Sequence, residues 1–246
     1  MGAFFLYKKN TTISLDEVEK KCKLSLDVFN KKKLKLSKKI DNDNFSLFIY
    51  HKYSFNVKNY YIEDDNNFIV STGTFFYENK TGLKSLKRIF LDFNTKKNII
   101  HKMNGNYGII ICKKNNLFIF NDYLGLYRVY VNKSKNIFSS SFLSVIYSVE
   151  EKNVSRQELY EYIFYGTFYG DKTLFKEIDL LPSEYIFSIF PLFKRYKQKI
   201  FLDKIVHSND LEKIFKSSYN ANIQYFKIIK NEFNNKVTSA LSGGFD

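Results

Sequence analysis

The sequence predicts an α+β fold over residues 1–200, followed in residues 201–246 by the opening of an α/β unit. Three observations predict it. Aromatic and β-branched runs of strand length recur between short polar turns, the pattern of antiparallel pairing. Segments with helical spacing interrupt them, two of which begin with capping-box signatures. The last ten residues, VTSALSGGFD, carry a short apolar strand into a glycine-rich loop, and in α/β units ligands sit beyond the carboxyl ends of such strands.

Taken in order, Ala3 to Tyr7 is a starting strand, and Ser14-Leu15-Asp16-Glu17 opens a helix through about Cys22. Lys31 to Asn44 reads as a loop. Strands follow at Phe45 to His51, Lys58 to Glu63 and Asn67 to Thr72, the last two divided by the turn Asp64-Asp65-Asn66. Leu83, Leu86, Ile89 and Phe90 then share one face of a helix. Asn106 to Cys112, Leu117 to Asn121, Leu126 to Asn132 and Asn136 to Ser140 are expected to form an antiparallel meander. Phe142 to Val149 reads as a helix, and Ser155-Arg156-Gln157-Glu158 is a second capping box, with Leu159, Tyr162 and Ile163 on one side of the helix behind it. Glu184 to Phe190 is a strand after Pro182. A long helix over Ser208 to Asn231 has Leu211, Ile214, Phe215, Phe226 and Ile229 as candidate core positions, and Lys236 to Leu241 is the final strand.

Lys and Arg total 39 against 25 Asp and Glu, a net charge of +14. Such a charge can mark a nucleic-acid or acidic-membrane partner. The chain is equally rich in Asn, Ile, Phe and Tyr and holds only 2 Pro and no Trp, so the excess reads as drift across the whole composition. The densest clusters, Lys31 to Lys39 and Lys194 to Lys199, read as solvated loops or strand edges guarded by Lys. Nucleic acid is not an expected partner, and no run is long enough for a membrane span. Cys22 and Cys112 have neither disulfide nor zinc spacing and read as buried structural thiols in a reducing cytoplasm. His51, His101 and His207 are scattered and read as structural rather than catalytic. Ser139-Ser140-Ser141 reads as a strand end capping the next helix rather than a nucleophile.

The terminal loop, Ser242-Gly243-Gly244-Phe245-Asp246, places glycines where backbone N–H groups can approach an anion. The helix that would complete the cradle is expected beyond Asp246, so the chain reads as a fragment. Together with three earlier stretches, the loop resembles the asparagine synthetase family. Met103-Asn104-Gly105-Asn106-Tyr107-Gly108 is similar to that family's Leu-x-Gly-x-Phe-Ala strand. Asn121 to Tyr130 is similar to Arg-Asp-x-x-Gly-x-x-Pro-Leu-Tyr, and Phe138 to Phe142 to the Phe-Ala-Ser-Glu behind it. Leu180-Leu181-Pro182-Ser183-Glu184 is similar to Leu-x-Pro-Gly, and the terminal loop to Ser-Gly-Gly-x-Asp-Ser.

The resemblance implies a glutamine amidotransferase-like domain of the Ntn-hydrolase type over 1–200, a four-layer αββα sandwich with antiparallel sheets. It also implies the first helix and strand of an ATP-pyrophosphatase domain over 201–246. Ser242, Gly243, Gly244 and Asp246 would bind the pyrophosphate of ATP, with Asp246 near Mg²⁺. In glutamine-hydrolysing members a Cys follows the initiator Met, its thiolate attacking the amide while its α-amine handles protons. Gly2 stands there in this chain and has no nucleophile. Loss of a catalytic nucleophile costs about a millionfold in a well-studied hydrolase. The family's Asn-Gly-Glu-x-Tyr-Asn element corresponds to Thr72-Gly73-Thr74-Phe75-Phe76-Tyr77, so the Asn that supports the oxyanion has become Thr72. The Gly-Asp-x-Glu stretch that binds the glutamine α-amino group has no counterpart at Leu91-Asp92-Phe93-Asn94-Thr95.

Thr72 and Gly73 are therefore expected in a degenerate glutamine pocket, and the chain is expected to have lost glutaminase activity. The leading expectation is the N-terminal part of an ATP-dependent, AMP-forming amide ligase that works through an acyl-adenylate. Its amine would be ammonia from solution, or one already in the substrate, as in the similar β-lactam synthetases and lasso-peptide cyclases. Its partners would be its own C-terminal synthetase domain, a small-molecule or peptide carboxylate, and potentially a second copy of the chain. The alternative is a non-catalytic binding or scaffolding module. A tRNA-modifying pyrophosphatase is disfavoured because it needs no long β-rich domain ahead of the loop.

Overall fold

A computed structural model describes residues 2–10, 13–51, 58–94, 99–198, 211–234 and 236. The fold is mixed α+β, with two six-stranded antiparallel sheets and, among the described residues, six α-helices. Each strand that packs between layers carries apolar residues at successive positions, because both of its faces are covered. β1 (Ala3–Lys8) sends Phe4 and Leu6 to one side and Ala3, Phe5 and Tyr7 to the other. β3 (Phe45–Tyr50) divides in the same way, with Leu47 and Ile49 against Phe48 and Tyr50.

The first sheet has the order β10-β8-β9-β1-β3-β2, where β2 is Leu36–Asp41, β8 Tyr130–Asn132, β9 Ile137–Ser139 and β10 Ile178–Leu180. The second has the order β12-β11-β7-β6-β5-β4, where β4 is Tyr60–Asp64, β5 Asn67–Tyr77, β6 Met103–Lys113, β7 Asn116–Asn121, β11 Tyr185–Phe190 and β12 Lys194–Lys197. Their facing sides share one core, in which Phe4, Leu47 and Phe138 of the first sheet meet Phe68, Ile110 and Phe187 of the second. An edge-to-face pair, Phe45 on Phe68 with centroids 5.9 Å apart, bridges the two.

The outer faces are covered by helices. α1 (Leu15–Lys21), α2 (Lys23–Lys31) and α4 (Phe142–Ile146) cover the first sheet through Val18, Phe29 and Val145, with Phe29 stacked on Tyr50 at 4.2 Å. α3 (Gly82–Asp92) covers the second through Leu86, Ile89 and Phe90. The capping box at Ser14 is formed: the Glu17 N–H donates to the Ser14 hydroxyl at 3.2 Å, and the Ser14 N–H to the Glu17 carboxylate at 2.7 Å. No helix among the described residues is long and apolar enough to cross a membrane.

Several expectations are corrected. Lys31 to Asn44 is not a loop throughout, since β2 pairs with β3 within it. The four-strand meander is two pairs: β6 and β7 lie in the second sheet, while β8 and β9 lie in the first. The expected strand from Leu126 shrinks to β8, because residues 122–129 carry the chain between sheets. The Asp122 carboxylate organises this crossing, accepting from the N–H groups of Leu126 at 3.0 Å and Tyr127 at 2.7 Å. Ser155 caps α5 (Arg156–Tyr165) by position only, its hydroxyl donating to the Glu158 carboxylate in place of accepting from backbone.

The long helix, α6 (Leu211–Glu232), forms, but its expected core positions are not in the core. Leu211, Ile214, Phe215 and Phe226 are exposed and Ile229 is half-buried. Its carboxyl end is anchored: the Thr81 N–H donates to Glu232 at 2.8 Å, and Phe76 meets Phe233 edge-on at 6.0 Å. The expected final strand, apart from Lys236, lies outside the described residues. Of the two Lys clusters, Lys38 and Lys39 lie on the edge strand β2 and Lys194 and Lys197 on the edge strand β12, while Lys31 ends α2 and Lys32, Lys33 and Lys35 lie between α2 and β2. Desolvating lysines on an edge strand opposes pairing with another chain.

Candidate functional site

The site is built where β1 begins. Gly2 and Ala3 line a cavity of about 430 Å³, together with Asn106 from β6, Tyr127 and Arg128 from the crossing, and Ser140 and Ser141 behind β9. Each arrives there for a local reason. β1 pairs with β9 through Phe5 and Ser139, and the Phe4 N–H donates to the Ser140 hydroxyl at 3.1 Å. Ser139 donates back to the Phe4 carbonyl at 3.0 Å and accepts from Ser144 at 2.6 Å. The serine run therefore stitches a strand end, but the expected cap of the next helix is absent: Ser141 holds the N-cap position of α4 (Phe142–Ile146) and its side chain makes no cap hydrogen bond. The cavity lining holds no histidine base for these serines.

Tyr127 is held by Asp122 at its N–H and by the Asn121 amide, which donates to its carbonyl at 3.1 Å. Its phenol donates to the Gly2 carbonyl at 3.1 Å, tying the crossing to the first residue of the described chain. Burial pushes the Tyr127 phenol up, while the neighbouring hydroxyls of Thr72 and Ser140 pull it down. Burial raises the Tyr107 phenol too, aided by the nearby Asp122 charge.

β5 and β6 meet behind Asn106 in a distortion that only glycine permits. Gly73 (φ +76°) lies opposite Tyr107, and Gly105 (φ +119°) opposite Phe75. A Cβ at Gly73 would overlap the Asn106 carbonyl, and one at Gly105 the Thr74 carbonyl. Thr72 and Gly73, the residues expected in the pocket, thus stand one layer behind its wall. The Thr72 hydroxyl donates to the Gly108 carbonyl at 3.3 Å beside the Tyr127 ring.

The lining contains no Cys, His, Asp or Glu among the described residues. Cys22 and Cys112 are buried elsewhere, and Asp92 pairs with Arg88 at 3.1 Å on the outer helix α3. Gly2 and Ala3, which line the cavity at the start of the chain, bring no nucleophilic side chain to it. No group of three or more His, Cys, Asp or Glu side chains that could hold a metal lies among the described residues. The expected nucleotide residues Ser242, Gly243, Gly244 and Asp246 lie outside them. His51 and His101 do not line the cavity, and His207 lies outside the described residues.

Tyr127, Ser141 and Arg128 were missed as cavity residues. The signal available was their place inside the stretches 121–130 and 138–142, which marks segments but not which side chains turn inward. No protein-family model matches the chain, and no curated protein matches it.

Proposed function

We propose that this chain is the glutaminase-like part, with an Ntn-hydrolase-type fold, of an asparagine-synthetase-type ligase, and that its own glutaminase chemistry is lost. One observation carries the reading: stretches matched to that family separately, and far apart in sequence, gather around Gly2. Gly73 of the element compared with Asn-Gly-Glu-x-Tyr-Asn lies opposite Tyr107, and Gly105 of the Met103 to Gly108 stretch lies opposite Phe75, on the paired strands β5 and β6. Asn106 from one stretch and Tyr127 and Ser140 from the next line one cavity, and the Leu181 N–H of the third donates to the Val129 carbonyl at 2.8 Å. A convergence of this kind is what a shared pocket architecture requires, and chance similarity of short segments does not require it.

In this reading Gly2 takes the nucleophile's place, and the cavity has no side chain to accept a proton from one. Amide nitrogen would come from ammonia or from an amine of the substrate. ATP and Mg²⁺ would be served by Ser242, Gly243, Gly244 and Asp246, which would cradle pyrophosphate as an acyl-adenylate forms from a carboxylate. The test is pyrophosphate exchange into ATP by the full protein with candidate carboxylates, aspartate among them, with a parallel assay of glutamate release from glutamine. Exchange without glutamate release is expected. Glutamate release above background that survives replacement of both cysteines would overturn the lost-glutaminase reading. Absence of exchange with every carboxylate would overturn the ligase and leave the binding-module alternative. That alternative is favoured by the exposed apolar residues Tyr160, Ile163 and Phe164 on α5.

A further inference from the structure

α5 has the sequence of a buried helix and the exposure of a surface one. Of its ten residues only Glu158 is buried, and none belongs to a hydrophobic core cluster of the described residues. Tyr162, Ile163, Phe164 and Tyr165 are successive, and four successive residues at 3.6 per turn go right round the helix. A helix that is apolar on all sides belongs in an interior, and one of ten residues is marginal on its own. Its end stands clear as well, since a Cβ added at Gly166 would meet no described atom within 4 Å.

The composition of this surface points to a protein partner. Residues 155–171 hold one Arg and three acids, Glu158, Glu161 and Asp171, and no Lys, in a chain with 39 Lys and Arg. A sequence that scatters Lys over solvated positions places none here, and depletion of Lys with enrichment of aromatics marks the core of an interface. α6 also exposes apolar residues, but Lys213, Lys216, Lys227 and Lys230 stand on the same helix. An acidic membrane is a poor match, because helices that lie on one carry Lys or Arg along their polar face.

Size and shape favour a second copy of the chain. Tyr160, Tyr162, Ile163, Phe164, Tyr165 and Tyr169 are each between 53% and 76% exposed. At about 150–250 Å² for a whole aromatic side chain, the six together offer roughly 600–900 Å², against about 800 Å² per partner in a stable interface of standard size. Beside them lies an apolar hollow of about 360 Å³, walled by Tyr162 and by Tyr130, Phe142, Leu174 and Leu180. Arg128, of a type enriched at interfaces, and Lys172, which pairs with Asp179 at 3.3 Å, also line it. Projecting rings and a hollow on one patch are what a twofold contact requires, since there the patch meets its own copy. A net charge of +14 makes two copies repel, and α5 lets them meet without its own lysines face to face.

We propose that α5 and the hollow beside it form the twofold interface of a homodimer, with the Tyr160, Ile163 and Phe164 side of each helix against the other copy. The inference rests on the α5 surface and holds whether the chain is part of a ligase or a binding module.

The test is sedimentation equilibrium of the chain up to about 100 µM in sodium chloride at about 0.15 M, where the screening length is about 8 Å. A species of twice the chain mass is expected at the top of that range, because interfaces of this size span micromolar to picomolar dissociation constants. Phe164→Asp, at a position 76% exposed where the fold is not at stake, weakens dimerisation at least about thirtyfold. Ile163→Lys does the same while placing a better helix former in α5. Leu91→Asp, at an exposed apolar position on α3, leaves the dimer unchanged. A monomer at the highest concentration would overturn the proposal. So would a dimer that survives both α5 substitutions, or one broken by Phe215→Asp on α6 and not by Phe164→Asp. Mass that climbs past two copies with concentration would show an open contact in place of a twofold one and overturn it as well. Sedimentation of a monomeric chain with phosphatidylserine vesicles, lost in Phe164→Asp, would assign the patch to a membrane instead. Pyrophosphate exchange does not enter this measurement, so its failure leaves the ligase reading standing, and the reverse.

Discussion

Cys22 is 2% exposed under α1, and Cys112 is fully enclosed between the two sheets. Burial pushes the Cys22 thiol from its ordinary 9.0 up to about 11, against the opposing pull of Lys21. Burial takes Cys112 up to about 12, helped by the Asp64 charge and opposed by a backbone hydrogen bond from Asn115. The sign follows directly. In the unfolded chain each thiol ionises near its ordinary value, whereas in the folded chain it stays neutral to higher pH, so above that value the folded state binds more protons. The stabilising contribution is complete below about pH 9 and is lost as pH rises through about 11 for Cys22 and about 12 for Cys112. A thiol probe at about pH 8 is therefore expected to label neither cysteine in the folded chain and both in urea. Native labelling at the rate of a free thiol would refute the burial argument. At this scale the sequence was informative in proportion to how local the cause is. Spacing gave no sign of a metal or disulfide role for either cysteine, and both are free, buried thiols; Gly2 could be read directly. Tyr127 could not be, because its bond to the Gly2 carbonyl joins residues 125 positions apart.

Helix starts test how far a local motif determines local structure. Ser14 and Ser155 head the same four-residue signature, yet only Ser14 exchanges hydrogen bonds with the backbone. Replacing Ser14 with Ala is expected to cost about 1 kcal/mol of stability in urea unfolding, within the range for lost N-caps. Ser155→Ala should cost a few tenths at most, because the hydroxyl serves Glu158 and leaves the first turn of α5 uncapped already. Equal losses at the two sites would mean that the Ser155 hydroxyl caps α5 in solution. The signature was legible and its outcome at α5 was not, since the rotamer of Glu158, 9% exposed, decides which partner Ser155 takes. β2 was missed for a related reason. Its sequence LSKKID buries only Ile40, and Lys and Asp are poor strand formers, so pairing with β3 rather than propensity makes the strand. α6 erred in the other direction: its spacing of apolar residues was correct for a helix, but periodicity says nothing of whether a partner face is present.

On the scale of the whole molecule, alternation is silent where both sides of a sheet are covered. Apolar residues then run continuously, and nothing in such a run says which of two sheets a strand joins. That is why β6 to β9 read as one meander, although residues 122–129 pass from one sheet to the other. Charge is distributed more legibly. Of the ion pairs among the described residues, three join two exposed side chains, as Lys39 with Glu19, and such pairs contribute about 0–1 kcal/mol each; in most of the others an exposed Lys or Arg meets a half-buried acid, as Lys172 with Asp179. Lys9 with Asp41, 3.0 Å apart, is an exception, since the Lys9 side chain is 3% exposed. Against this stands a net charge of +14, with lysines placed along the edge strands β2 and β12. The folded chain crowds those charges and the unfolded chain separates them, so self-repulsion opposes folding. Raising sodium chloride from about 0.01 M to about 0.1 M shortens the screening length from about 30 Å to about 10 Å. Repulsion across the molecule is then screened more than contacts at 3–4 Å, and the thermal midpoint is expected to rise with salt. A midpoint that falls with sodium chloride would show that the surface ion pairs outweigh the repulsion, and that the edge lysines act as partners of acids rather than as guards of the sheet edges.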